Sequence, residues 1–410
     1  ALSSKPAPVP GLAQALVTTP DLTTKTLVNK SILPPGSLDP SFDIGTGFDF
    51  KPNTENIISF VDALAVLPDG RILVGGRFTE YNGKPCNRIA CLHPNGRLDT
   101  AFDIGTGFDF KPNTKNIISF VDALAVLPDG RILAGGNFTK YNGKPCNHIA
   151  CLHPDGRLDT AFHTGTGFND WVNTLAVLPD GRILVVGRFT EYNGKPCIRI
   201  ACLHPNGRLD TAFDTGTGFN SWVNTLAVLP DGRILVGGYF TKYNGKWCNR
   251  IACLHPNGRL DTAFRTGTGF ELWVKTLATL PDGRILVGGK FTQYNRKPCN
   301  NIACLHPNGR LDTTFDTGTG FDYDVHTLAT LPDGRILVGG DFFSEYNGKP
   351  CNRIACLHPN GRLDTTFDTG TGFNHWVGTL AILPDGRILV GGDFSEYNGK
   401  SCNNIACLYV

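Results

Sequence analysis

Val172–Leu178 is an apolar run rich in β-branched residues, and Pro179-Asp180-Gly181 interrupts it with a tight turn. Arg182–Phe189 resumes the apolar pattern, so the two segments read as a β-hairpin signalled by Asp-Gly. A polar loop, Thr190-Glu191-Tyr192-Asn193-Gly194-Lys195, leads to a third strand around Arg199–Leu203. His204-Pro205-Asn206-Gly207 turns the chain again, Arg208–Phe213 supplies a short fourth strand, and Gly216-Thr217-Gly218 crosses to the next unit. Four antiparallel strands in about 51 residues, without a helical pattern, make one propeller blade.

The unit recurs. Leu-Pro-Asp-Gly-Arg appears seven times, with its proline at Pro68, Pro128, Pro179, Pro230, Pro281, Pro332 and Pro384. Asp49–Ser59 is an insertion that returns almost unchanged as Asp109–Ser119, and Phe342-Phe343 adds a single residue. The first two strands of each unit are apolar on both faces, so a lone blade cannot bury itself, and the last unit carries no polar cap. The expected fold is therefore all-β: a closed seven-bladed β-propeller of four-stranded antiparallel blades. The chain ends at Leu408-Tyr409-Val410, just after the seventh third strand, while Ser37-Leu38-Asp39-Pro40-Ser41-Phe42 matches Arg97–Phe102. Residues 37–410 are expected to form the propeller, with 37–42 completing the last blade and protecting its edge. Residues 1–36 read as an extended N-terminal arm: Lys5–Pro10 has polyproline composition, and Leu22–Leu33 is strand-like.

The unit resembles the delta-60 repeat, a bacterial β-propeller family, through Pro-Asp-Gly-Arg-Ile-Leu-Val-Gly-Gly, Tyr-Asn-Gly, Arg-Ile-Ala and Asn-Gly-Arg-Leu-Asp. The resemblance covers Ser37–Val410. It implies a propeller of secreted or surface proteins, and it transfers no catalytic residue.

Thirty-eight basic against 36 acidic residues give a formal charge of +2, so no electrostatic pull toward nucleic acid follows. No apolar stretch is long enough for a membrane helix, so no membrane insertion is expected. The chain opens Ala1-Leu2, contains no methionine and carries two cysteines per repeat. Those features lead to the expectation of a processed chain in an extracellular or cell-surface location.

The cysteines stand five apart, as Cys86/Cys91, Cys146/Cys151, Cys197/Cys202, Cys248/Cys253, Cys299/Cys304, Cys351/Cys356 and Cys402/Cys407. Five extended steps would separate the Cα atoms of a pair by about 16 Å, beyond disulfide reach. Bridges between blades, bridges within a blade through a curled Pro-Cys-Asn segment, and buried free thiols all stay open, with oxidation expected.

Other motifs read as structure. Asp214-Thr215-Gly216-Thr217 copies an aspartic-protease signature and returns at Asp316 and Asp368, but its Asp slot also accepts His163 and Arg265. Single Asp residues in the Pro-Asp-Gly turns lack the oxygens of a calcium loop. The His-Pro pairs (His93, His153, His204, His255, His306, His358) recur once per blade, too sparsely for a zinc set. No metal and no cofactor is expected, and no enzymatic activity.

The candidate binding residues are aromatic. Phe60, Phe120, Trp171, Trp222, Trp273 and Trp376 stand just before the innermost strands, with Asp324 breaking the series. On a propeller they would surround one mouth of the central channel, either packing between blades or stacking on sugar rings. The functional expectation is a non-catalytic structural or adhesive propeller, assembling with itself into a filament through the arm. The alternative is a glycan-binding propeller that uses the aromatic mouth.

Overall fold

The computed structural model describes residues 33–51, 58–109 and 119–410. The arm expected over residues 1–36, and the filament built on it, fall almost wholly outside the described residues. Pro34–Val410 form one compact unit.

Every described regular element is a β-strand. Seven of the nine described three-stranded antiparallel sheets follow one another, one per repeat, each ordered innermost, second, third along the chain; the other two are small outer sheets of the first two units. The third sheet is typical: Val172–Val177 pairs with Ile183–Gly187, which pairs with Ile200–Leu203. The second strand is buried at every residue because neighbouring sheets cover both of its faces. Leu184, Val186 and Cys202 of the third sheet pack with Val223, Leu226, Ile234 and Cys248 of the fourth. Close approach there requires glycine. A Cβ on Gly135 would lie 2.5 Å from Cγ1 of Val172, and one on Gly391 equally close to Cγ1 of Val61.

The fourth strand is shorter than expected. Arg208–Phe213 contributes a single bridge, Leu203 to Leu209, instead of a ladder. The Asp210 carboxylate accepts the Ala212 N–H at 3.0 Å and the Phe213 N–H bonds back to the Asp210 carbonyl, which curls the chain away after one pair. The loop read as polar coil is instead a small ribbon, Glu191–Tyr192 against Lys195–Pro196. Its turn is Asn193-Gly194, both at positive φ, as a type I′ turn requires.

The missing fourth strand of the seventh sheet is supplied from the other end of the unit. Leu38 bridges Leu408, Asp39 N–H donates to the Cys407 carbonyl at 2.8 Å, and Tyr409 N–H donates to the Ser37 carbonyl at 2.9 Å. In the third unit the Tyr192 hydroxyl donates to the Gly207 carbonyl; in the seventh, Tyr397 donates to Gly36 at the same 2.6 Å. Leu383, Leu389 and Ile405 of the last sheet share a core with Phe42, Val61 and Ile72.

All fourteen cysteines are buried free thiols, so the expected oxidation finds no support. The second cysteine of one unit shares a core with the first of the next, as Cys202 does with Cys248. Within a unit, Cys351 and Cys356 both line a cavity of about 340 Å³ at the outer edge of the sheet. Neither route is bridged. The thiols pack as small apolar groups, and burial pushes Cys202 and Cys248 up to about 12. Buried free thiols place no demand on an oxidising compartment. Native protein should therefore react slowly with alkylating reagents at pH 8, and denatured, unreduced protein should take up fourteen labels by mass spectrometry. Fewer labels after denaturation would restore the disulfides.

Asp39 is almost fully buried and 2.6 Å from Arg387. Burial raises its carboxyl, but hydrogen bonds from Ser41, Arg387 and Tyr409 outweigh that and hold it below the usual carboxylate range. A depressed native pKa contributes stability above the unfolded value of 3.8 that disappears as the carboxylate is protonated in acid. Asp39→Ala should cost about 3 kcal/mol in urea unfolding at neutral pH. The difference should shrink below pH ~3.8. Equal midpoints at pH 7 would show that residues 36–39 are dispensable.

Candidate functional site

The seven copies are nearly identical along the Pro-Asp-Gly-Arg and Gly-Arg-Leu-Asp turns, yet differ at three positions that strand pairing gathers on one rim. The first holds the six aromatic residues and Asp324. The second lies two residues further on, at Asp62, Asp122, Asn173, Asn224, Lys275, His326 and Gly378. The third closes each second strand, at Arg77, Asn137, Arg188, Tyr239, Lys290, Asp341 and Asp393. Phe60 pairs directly with Arg77, and Arg188 N–H donates to the Trp171 carbonyl at 2.9 Å. The third set was not foreseen. Its signal is present in the sequence: it is the changing residue in the otherwise repetitive Ile-Leu-Val-Gly-Gly-x-Phe.

These side chains interleave. Phe120 meets Trp171 edge-on with centroids 5.2 Å apart. The Arg188 guanidinium lies between two indoles, 4.1 Å from Trp171 and 4.3 Å from Trp222. Tyr239 continues the belt, 5.6 Å from Trp222 and 4.6 Å from Trp273. The Lys290 ammonium follows between Trp273 and Tyr323. Tyr323 contacts Phe342, Phe342 contacts His375, and Trp376 contacts Phe60 at 6.2 Å. Where Asp324 interrupts the aromatic series, it accepts a hydrogen bond from Lys275 at 2.9 Å, and Lys275 also reaches Nε2 of His326 at 2.5 Å.

The six expected aromatics are thus gathered on one rim but not equally available. Trp222 is 42% exposed, whereas the other five are half-buried, and the Trp376 indole N–H is buried without a partner among the described residues. The rings pack across sheet boundaries, and Trp222 also presents an exposed face. The other motifs serve as turns. Asp214 Oδ1 accepts the Gly216 N–H at 3.2 Å, and His204 stands 3.9 Å from Asp210. Among the described residues no group of three or more His, Cys, Asp or Glu is arranged to hold a metal ion.

Charge is distributed unevenly. Asp341 and Asp393, on the sixth and seventh units, are raised chiefly by burial, and His326 is lowered to about 3 by burial and by Lys275. Burial raises Asp62 to about 8; nearby Arg77 opposes that and Asp393 adds to it. A carboxyl raised in the folded state favours folding while protonated, so stability declines as pH rises from about 4 toward 8. Asp62→Asn should raise the melting temperature above pH ~8 and lose that advantage toward pH ~4. A difference independent of pH would show Asp62 to be an ordinary solvated carboxylate.

No curated protein sequence matches the chain. Among solved structures it is similar to the WD40 β-propeller domain of Doa1, with 15% identity, a TM-score of 0.55, and coverage of 89% of this chain and 97% of that one. It is also similar to the extracellular domain of the hybrid two-component system BT3049 of B. thetaiotaomicron, with 13% identity and a TM-score of 0.55 over 86% of this chain and 39% of that one. Virginiamycin B lyase of Staphylococcus aureus gives 12% identity and a TM-score of 0.51 over 87% and 97%. At these identities the likeness is one of fold. Among the described residues no helix is long and apolar enough to cross a membrane. The repeat itself matches a family at residues 67–102, 127–162, 178–213, 229–264, 280–315, 331–367 and 383–408, more than half of the chain. The match carries the propeller repeat and not the delta-60 name: the chain belongs to the family described as domain of unknown function (DUF5122) beta-propeller.

Proposed function

We propose that this chain is a non-catalytic, extracellular adhesive propeller, closed into a ring of seven blades by residues 37–42, that binds glycan on its aromatic rim. One observation carries the reading: among the described residues, five of the six exposed large hydrophobics, Ile58, Trp222, Leu272, Tyr323 and Phe342, stand on the face where the copies diverge. The sixth, Trp247, lies on the ribbon of the fourth unit. Exposed apolar groups concentrated on one face and rimmed by polar residues mark an interaction surface. Aromatic faces suit the C–H faces of sugar rings, and the neighbouring Asn and Asp side chains suit their hydroxyls. Because the repeated positions differ, the rim offers one asymmetric site and not seven equal ones. An extracellular location accords with a ligand of this class, and one structural neighbour is itself an extracellular domain.

A glycan array probed with the full chain tests this. Trp222→Ala and Trp171→Ala should each weaken the best binder at least tenfold, about 1.4 kcal/mol, while melting temperature changes little. Absence of any glycan binding would contradict the reading, and loss of folding in both variants would assign the rings to the core.

A further inference from the structure

The rim's cations fall into two kinds. Lys275 is held by Asp324 at 2.9 Å, and Arg77 is flanked by Asp62 and Asp393. Arg188 and Lys290 are different: among the described residues neither has a carboxylate within ion-pair distance, and both lie against aromatic faces. Arg188 is sandwiched between two indoles, which removes water from both faces of the guanidinium and leaves its edge as the hydrogen-bonding side. Its Nε, like that of Arg77, is buried without a hydrogen-bond partner among the described residues. Burial, with Asp62 adding to it, raises the Asp122 carboxyl well above the usual range, while the charge of Arg188 pulls it down. A half-buried, unpaired charge costs folding energy unless something else satisfies it.

We infer that the glycan held by this rim is anionic, carrying a carboxylate or sulfate that the unpaired Arg188 and Lys290 receive beside the stacked Trp171, Trp222 and Trp273. This rests on the glycan reading above. The planar fork of Arg188 suits a bidentate contact with either anion, and Lys290 adds a point charge on the same side. Asp341 and Asp393, on the sixth and seventh units, would accept bonds from hydroxyls, so the ligand has one favoured direction.

Calorimetric titration of the full chain with oligogalacturonate, a sulfated galactan oligomer and a neutral galactan oligomer of equal length decides it, with a glutamate oligopeptide as a further arm. At least one anionic sugar should bind tenfold or more tighter than the neutral one, with an advantage that shrinks as salt rises. Arg188→Gln and Lys290→Gln should each narrow the anionic-to-neutral ratio, whereas Trp247→Ala should leave it unchanged. Lys290→Gln keeps the test open if Arg188→Gln fails to fold. Equal binding of neutral and anionic sugars, or an unchanged ratio in both variants, would overturn the inference while leaving glycan binding intact. Binding of the peptide as tightly as the sugars would also overturn it. Binding of no sugar at all would instead remove the reading on which it rests.

Discussion

The arginine of Leu-Pro-Asp-Gly-Arg is the interaction on which the rest depends. Arg182 bonds Asp180 of its own turn at 2.8 Å and Asp210 of its own fourth segment at 3.0 Å. Its remaining fork reaches the Pro256 carbonyl of the next unit at 3.2 Å. One guanidinium thereby ties a hairpin, the outer edge of its sheet and the neighbouring sheet. Charge-assisted bonds of fixed geometry suit this task better than a flexible ammonium would. Arg387 repeats the pattern with partners from the opposite end of the unit, Asp39 and the carbonyl of Pro94, and so sets the last unit against the first.

Six of the seven arginines, all but Arg335, reach a neighbouring unit's proline carbonyl. The ties to the turn and to the fourth segment and the apolar second strands recur in every unit, so the fold is legible in the sequence. A lone unit leaves its apolar faces open, and the match between Ser37–Phe42 and Arg97–Phe102 pointed to where the missing segment comes from. Strand extent was less legible. Asp210 looked like one residue of a strand, but its short carboxylate bonds the backbone two residues ahead and ends the ladder. Asn193-Gly194 is a hairpin signal within a polar stretch, but the two-residue strands beside it carry too little apolar pattern to stand out from a loop.

The thiols show a different limit. A five-residue spacing fixes which faces two cysteines occupy, and the structure does place neighbouring units' cysteines in shared cores. Sharing a core is a weaker condition than the close approach a bridge demands. On the rim, the aromatic set was visible as the residues opening each innermost strand, while Arg188, Tyr239 and Lys290 were not. Their role depends on pairing across the hairpin, which brings residue 188 beside residue 171.

The central claim is that a near-symmetric scaffold carries its function on the one rim where its copies differ. Hydrogen–deuterium exchange of the full chain with and without a bound acidic oligosaccharide tests it most directly. The account predicts added protection in peptides that open the innermost strands and close the second strands of the third to fifth units. The Pro-Asp-Gly-Arg turns at the other ends of those strands should exchange as before. Protection confined to those turns or to the outer ribbons would contradict it.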